Sequence, residues 1–143
     1  MIDPIEALIK LARDDAGLRD VVDDRIAGEQ RFGKGSGRWS IDEPALALGW
    51  DGGTAEMYVE VQTPRVEARC YGKSFAEAAK VYAALVEFCR PLNRELVETS
   101  SGLGLVYYAN ITTSPGRLID PDVDVPLLLC FIEAAVAETT AAA

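Results

Sequence analysis

Between Val66 and Cys89 the hydrophobic period changes once, and that change limits what can be built around it. Val66, Ala68 and Cys70 alternate with Glu67 and Arg69, the period of two that marks a strand with one apolar side. From Ser74 the period becomes helical. Ala78, Val81, Tyr82, Leu85 and Cys89 fall on one stripe, and Ser74 with Glu77 three residues later makes a capping box. Arg90-Pro91 ends the helix. A strand therefore runs directly into a helix, so the chain is neither all-helical nor all-strand.

The rest of the chain is punctuated in the same way. Asp3 caps a first helix, Pro4 suits its first turn, and Ile5, Leu8, Ile9 and Ala12 mark its apolar face. Asp14-Asp15-Ala16-Gly17 ends it, a short helical turn follows at residues 18–22, and Arg25-Ile26-Ala27 reads as a brief strand. Residues 45–50 read as a strand that stops at an Asp51-Gly52-Gly53 turn. Residues 57–71 are rich in β-formers, but Val59 and Val61 have odd parity while Val66 to Cys70 have even parity. A turn or bulge at Thr63-Pro64 would repair the register. Residues 103–113 form a further strand, broken by Ser114-Pro115-Gly116, and residues 120–126 make an acidic connection. The apolar run 127–137 fits helix or strand equally by pattern. The last residues, 139–143, read as a frayed end. No internal repeat or linker divides the 143 residues, so residues 1–143 read as one domain.

Composition narrows the chemistry. The chain has 23 acidic and 14 basic side chains and a net charge of −9, which disfavours sequence-independent binding to nucleic acid or to an anionic membrane surface. It has no histidine, so Ser-His-Asp and Cys-His catalysis and histidine–metal sites are excluded. Cys70, Cys89 and Cys130 are isolated, odd in number and set among apolar neighbours, which reads as reduced core cysteines rather than a disulfide scaffold or zinc site. No secretory signal or membrane-spanning run is visible, and a reducing cytoplasm is the expected place of synthesis. No catalytic residue, metal site or cofactor is expected.

Four motifs invite a functional reading and have a plainer one. Gly72-Lys73-Ser74 lies between strand and helix, where a phosphate loop would end, but Glu67 stands where that loop needs its first glycine. Ser74 is better read as a helix cap. Asp120, Asp122 and Asp124 alternate like the start of a calcium loop, yet Val125 replaces the required glycine and Phe131 the closing glutamate. Gly102-Leu103-Gly104 precedes a strand, not the helix a dinucleotide fingerprint needs. Asp14, Asp15, Asp20, Asp23 and Asp24 read as a solvated acidic face.

Residues 29–43 are the candidate functional segment. They read as a long loop made flexible by Gly33, Gly35, Ser36 and Gly37, and they carry Arg31, Phe32, Lys34, Arg38 and Trp39. This basic and aromatic cluster contrasts with the acidic whole, and arginine and aromatics are enriched at interface hot spots. The five residues are candidate partner contacts. The competing reading is an ordinary surface loop with Trp39 tucked onto the core.

The order of elements, with Val21-Val22-Asp23-Asp24-Arg25-Ile26 after the first helix and Val66 to Ala78 running from strand into helix, resembles the tail terminator (tail completion) proteins of long, non-contractile-tailed bacteriophages and their prophage relatives. The likeness spans nearly the whole chain in order and length. It implies an α/β (α+β) domain, a mixed, largely antiparallel sheet packed by two main helices, with residues 127–137 as a strand. It also implies a structural virion protein that catalyses nothing. Such a protein forms a homo-oligomeric, hexameric ring at the head-proximal end of the tail tube, stops tube polymerisation and presents the head–tail joining surface. The implied partners are the tail tube protein and a head–tail connector or neck protein, with DNA passing through the lumen unbound. The implied location is the neck of the virion, after assembly in the host cytoplasm. Another neck or head-completion protein is the near alternative, and a small nucleotide-binding enzyme using Gly72-Lys73-Ser74 is the alternative of a different class.

Overall fold

The computed structural model describes residues 2–55 and 61–139. The first residues of the expected strand 57–71 and the end of the tail 139–143 lie outside them. Two helices open the chain, α1 (Pro4–Asp14) and α2 (Ala16–Val22), followed by β1 (Ile26–Ala27), β2 (Ala45–Ala55) and β3 (Val61–Tyr71). Helix α3 (Phe75–Cys89) leads to β4 (Glu95–Thr99), β5 (Gly102–Ile111), β6 (Gly116–Asp120) and β7 (Val125–Glu138). Among the described residues the strands form one sheet in the order β1-β2-β3-β7-β5-β4, with β6 also pairing β7. Only β1–β2 is parallel. This is an α+β domain with a mixed, largely antiparallel sheet. No described helix is long and apolar enough to cross a membrane.

Local chemistry sets the helix ends. Asp3 accepts from the Ile5 amide and Asp15 from the Leu18 amide, so one aspartate closes α1 while capping α2. Ser74 Oγ accepts from the Glu77 amide at 3.2 Å, and Glu77 Oε1 accepts from the Lys73 amide at 3.3 Å. The capping box is thus formed, displaced by one residue on its return arm. Among the described residues α1 and α3 are the two main helices, and the expected short helical turn is the seven-residue α2.

The helices share one core with the sheet face that bears Leu46, Leu48, Val66, Ala68, Cys70, Cys130, Ile132, Ala134 and Val136. All three cysteines are free and buried. Strand β7 lies at the centre, paired to β3 along one edge and to β6 and then β5 along the other. The apolar run 127–137 is therefore strand. It is apolar except at the exposed Glu133 because both its edges are paired and most of both faces is covered.

One turn expectation is corrected. The Asp51-Gly52-Gly53 segment does not end β2; it is a bulge inside it. Trp50 pairs Val66 and Gly53 pairs Pro64, so two residues of β2 oppose Arg65 alone. The extra residue lies on β2 rather than at Thr63-Pro64 in β3, which keeps its register with β7 throughout. Gly53 has φ +113°, and a Cβ there would sit 2.4 Å from the Thr63 carbonyl oxygen. Ser114-Pro115-Gly116 does break the preceding strand, since β5 ends at Ile111 and a separate strand, β6, starts at Gly116. After β5, Thr112 and Thr113 hold Phe131, and the chain resumes along β7 as β6. Strands β4 and β6 have no counterpart in the sequence reading. Each buries one side chain, Val97 and Asp120 respectively, so neither shows apolar alternation.

Gly72 joins β3 to α3 and has a steric role. A Cβ there would lie 2.5 Å from the Ala78 amide nitrogen and 2.8 Å from Glu77 Cβ. Gly116, by contrast, opens onto space. Gly72→Ala is therefore expected to lower stability by roughly 1–3 kcal/mol through overpacking. Gly116→Ala should stay within about 0.5 kcal/mol. Urea unfolding of the two variants measures the difference.

Candidate functional site

The loop of residues 29–43 is folded onto the sheet face opposite the helices. Phe32 and Trp39 are buried with Ala27, Ala45, Ala47, Tyr71, Val125 and Leu127. The Phe32 ring meets Trp39 edge-on at 5.3 Å and Tyr71 at 5.0 Å. The backbone is closed by Trp39 N–H donating to the Arg31 carbonyl at 2.8 Å and Gly33 N–H donating to the Trp39 carbonyl at 3.1 Å. Gly33, Gly35 and Gly37 turn the tip at positive φ.

The five candidate residues therefore separate by chemistry. Arg31, Lys34 and Arg38 remain exposed, while Phe32 and Trp39 are core. The aromatic pair fastens the segment and leaves the cations to face outward.

A buried polar group supports this attachment. Asp120 is 1% exposed and accepts from the Tyr71 hydroxyl at 2.8 Å and from Arg69 at 3.4 Å. Its other oxygen accepts from the Asp122 amide at 3.0 Å. The alternating aspartates thus build the β6–β7 turn, with Asp120 facing inward. Among the described residues, no cluster of three or more metal-ligating side chains occurs. Burial pushes the Tyr71 hydroxyl up to about 12, with the Asp120 contact acting in the same direction. The Arg69 guanidinium is raised by its hydrogen bonds to Tyr71 and Glu67.

Two arginines that sequence spacing did not bring forward border the loop. Arg13, in the last turn of α1, donates twice to the Ile26 carbonyl, at 2.6 and 3.1 Å. Arg25 donates to the Pro44 carbonyl at 2.7 Å and pairs with Glu43 at 3.4 Å. Together with Arg31, Arg38 and Trp39 they line a cavity of about 340 Å³. Nothing in the sequence signals that Arg13 and Arg38 line one cavity; α1 and the loop bring them to it from either side of β1 in sequence.

The other motifs resolve as structure. Between Gly72 and Ser74, the Lys73 and Glu77 amides are taken by the cap, and Gly72 is filled by α3, which leaves no cradle of free amides for a phosphate. Asp15 is a helix cap, and Asp24 lines the arginine cavity. The Cys70 thiol is pushed up by its hydrogen bond to Cys130 and by burial, and burial pushes Cys89 up to about 12, so neither is poised as a thiolate.

Two outcomes follow from this geometry. Trp39→Ala should cost roughly 3–5 kcal/mol as a large-to-small change in a packed cluster. Arg38→Ala should cost within about 0.5 kcal/mol, and denaturant melts compare them. The second outcome concerns alkaline pH. Tyr71 keeps its proton in the folded state after an unfolded tyrosine, at about 10, has lost it. Its contribution is complete below pH 10 and is lost as pH rises to about 12. Stability should fall through that window by up to about 1.4 kcal/mol per pH unit. Tyr71→Phe should flatten the slope, as read by unfolding midpoints across pH.

No family model and no curated protein sequence matches the chain. A solved structure does. A chain of the "Virion of native gene transfer agent (GTA) particle" superposes with a TM-score of 0.63 at 16% identity, covering 92% of this chain and 92% of that one. At this identity the likeness is one of fold, over almost the entire length of both chains.

Proposed function

We propose that this protein is a structural component of a phage-like virion, acting as a tail terminator. The observation that carries the reading is the end-to-end fold likeness to a chain of a gene transfer agent virion. It is joined by the sequence resemblance of residues 21–26 and 66–78 to tail terminators. In this role the chain assembles into a hexameric ring at the head-proximal end of the tail tube. The ring stops tube growth and offers the joining surface for a connector or neck protein. It works by contact and catalyses no reaction, and its place is the neck of the virion.

Physical features support the role. A ring is a head-to-tail assembly that closes on itself, so each copy needs two unlike surfaces. The sheet offers unlike ends: β1 with the basic loop at one, and β4 with exposed Leu96, Glu95 and Glu98 at the other. Each copy brings a charge of −9, so subunit contacts must offset mutual repulsion. An acidic lumen lets DNA pass without adhering. Arg31, Lys34 and Arg38 supply local positive charge for a contact with a neighbouring copy or an acidic tube surface.

The test is native mass with negative-stain imaging across protein and salt concentration, in the presence and absence of preformed tail tubes. A closed ring of about six copies, free or seated on tube ends, is expected. A chain that stays monomeric throughout and does not cap tubes would overturn the reading.

A further inference from the structure

The β1 end of the sheet holds positive charge that the chain does not neutralise. Arg13, Arg25, Arg31 and Arg38 line one cavity of about 340 Å³, together with Asp24 and Glu43. Four of the 14 basic side chains thus converge on a single hollow of a protein whose net charge is −9. Guanidinium groups stay charged at any working pH, so the two carboxylates offset half of the local charge and leave two positive charges over.

The four arginines are held differently. Arg13 is fixed by two hydrogen bonds to the Ile26 carbonyl, and Arg25 by the Pro44 carbonyl and Glu43. Their guanidinium planes are set before any partner arrives. Arg31 and Arg38 are exposed and, among the described residues, have no hydrogen bond or ion pair from their side chains. Their backbone is nonetheless anchored, because each is followed directly by a buried aromatic residue, Phe32 or Trp39. The hollow therefore presents preset cations next to free cations on a fastened loop.

We infer that this pocket receives Asp or Glu side chains from an acidic segment of a partner polypeptide, which Arg31 and Arg38 grip. The fork of a guanidinium matches a carboxylate in two parallel hydrogen bonds. The shape of the charge favours a peptide over nucleic acid. Nucleic-acid binding uses an extended basic face, whereas here four arginines gather in one hollow of a chain whose net charge is −9. Asp24 and Glu43 line the same hollow, which suits separate carboxylates threading between arginines better than a continuous phosphate chain.

This inference stands on the pocket and not on ring formation, so the two readings fail separately. The experiment titrates a fluorescent oligoglutamate peptide, and in parallel duplex DNA, with the wild-type chain, Arg31→Ala/Arg38→Ala and the remote control Arg19→Ala/Lys80→Ala. Native mass is recorded for each. The peptide should bind at low salt and weaken as salt shortens the screening length. The pocket variant should bind it about tenfold more weakly, and the control should bind as wild type. If the wild type is already assembled with its pocket filled by a neighbour, the pocket variant should dissociate the assembly where the control does not. Equal peptide affinity and equal assembly across all three proteins would overturn the inference. So would duplex DNA binding more tightly than the peptide with the same loss in the pocket variant. Thermal melts accompany the titrations and should coincide for the three proteins.

Discussion

Everything in this fold leans on β7. It has hydrogen-bonded neighbours along both edges, β3 on one side and β6 then β5 on the other. A strand so placed can meet solvent only through its faces, and over residues 127–137 both faces are apolar except at the exposed Glu133. The helices cover the face with Cys130, Ile132, Ala134 and Val136. At its other end Val125 and Leu127 point to the opposite face, where no helix lies. That face would be left wet if the chain did not supply a cover from elsewhere.

The cover is the segment 29–43. Phe32 and Trp39 pack over Tyr71, Ala45, Ala47 and Leu127, and the Tyr71–Asp120 hydrogen bond ties the patch to the β6–β7 turn. A segment lacking helix or strand thus completes the core. The same fastening presents Arg31 and Arg38 beside Arg13 and Arg25, because the aromatic residues stand next to the basic ones in sequence. Core closure and charge display are one event here. A loop fastened this way has a defined shape although it contains no regular element, because the sheet beneath it is rigid.

Much of the architecture was legible beforehand, and the places where it was not have physical reasons. Helices α1 and α3 announced themselves through Asp3, Pro4, Ser74 and Glu77, and the strand 66–71 through its parity. Strands β4 and β6 were missed because an edge strand that buries one residue carries no alternation. The bulge at Asp51-Gly52 was mistaken for a turn, since glycine beside aspartate serves both purposes and only the partner strand decides between them. At the candidate site, residue type identified Arg31, Lys34 and Arg38 as available cations, but type alone could not separate them from Phe32 and Trp39, whose burial depends on what the opposite sheet face leaves uncovered. Arg13 and Arg25 were invisible to spacing because their meeting with the loop is made in space.

The sequence by itself determined the local events. Capping, the switch of hydrophobic period at residues 71–74, the absence of histidine and the acidic balance all follow from which side chains stand near one another along the chain. Tertiary structure decided what depends on pairing and coverage. It made residues 127–137 a strand, because a run this apolar suits helix or strand until hydrogen-bonded neighbours appear on both edges. It turned a glycine-rich loop into the lid of a second core, because an uncovered apolar face recruits whatever aromatic side chains can reach it. It also drew four arginines from α1, the approach to β1 and the loop into one hollow, since charges distant in sequence become neighbours only when the backbone between them is fixed.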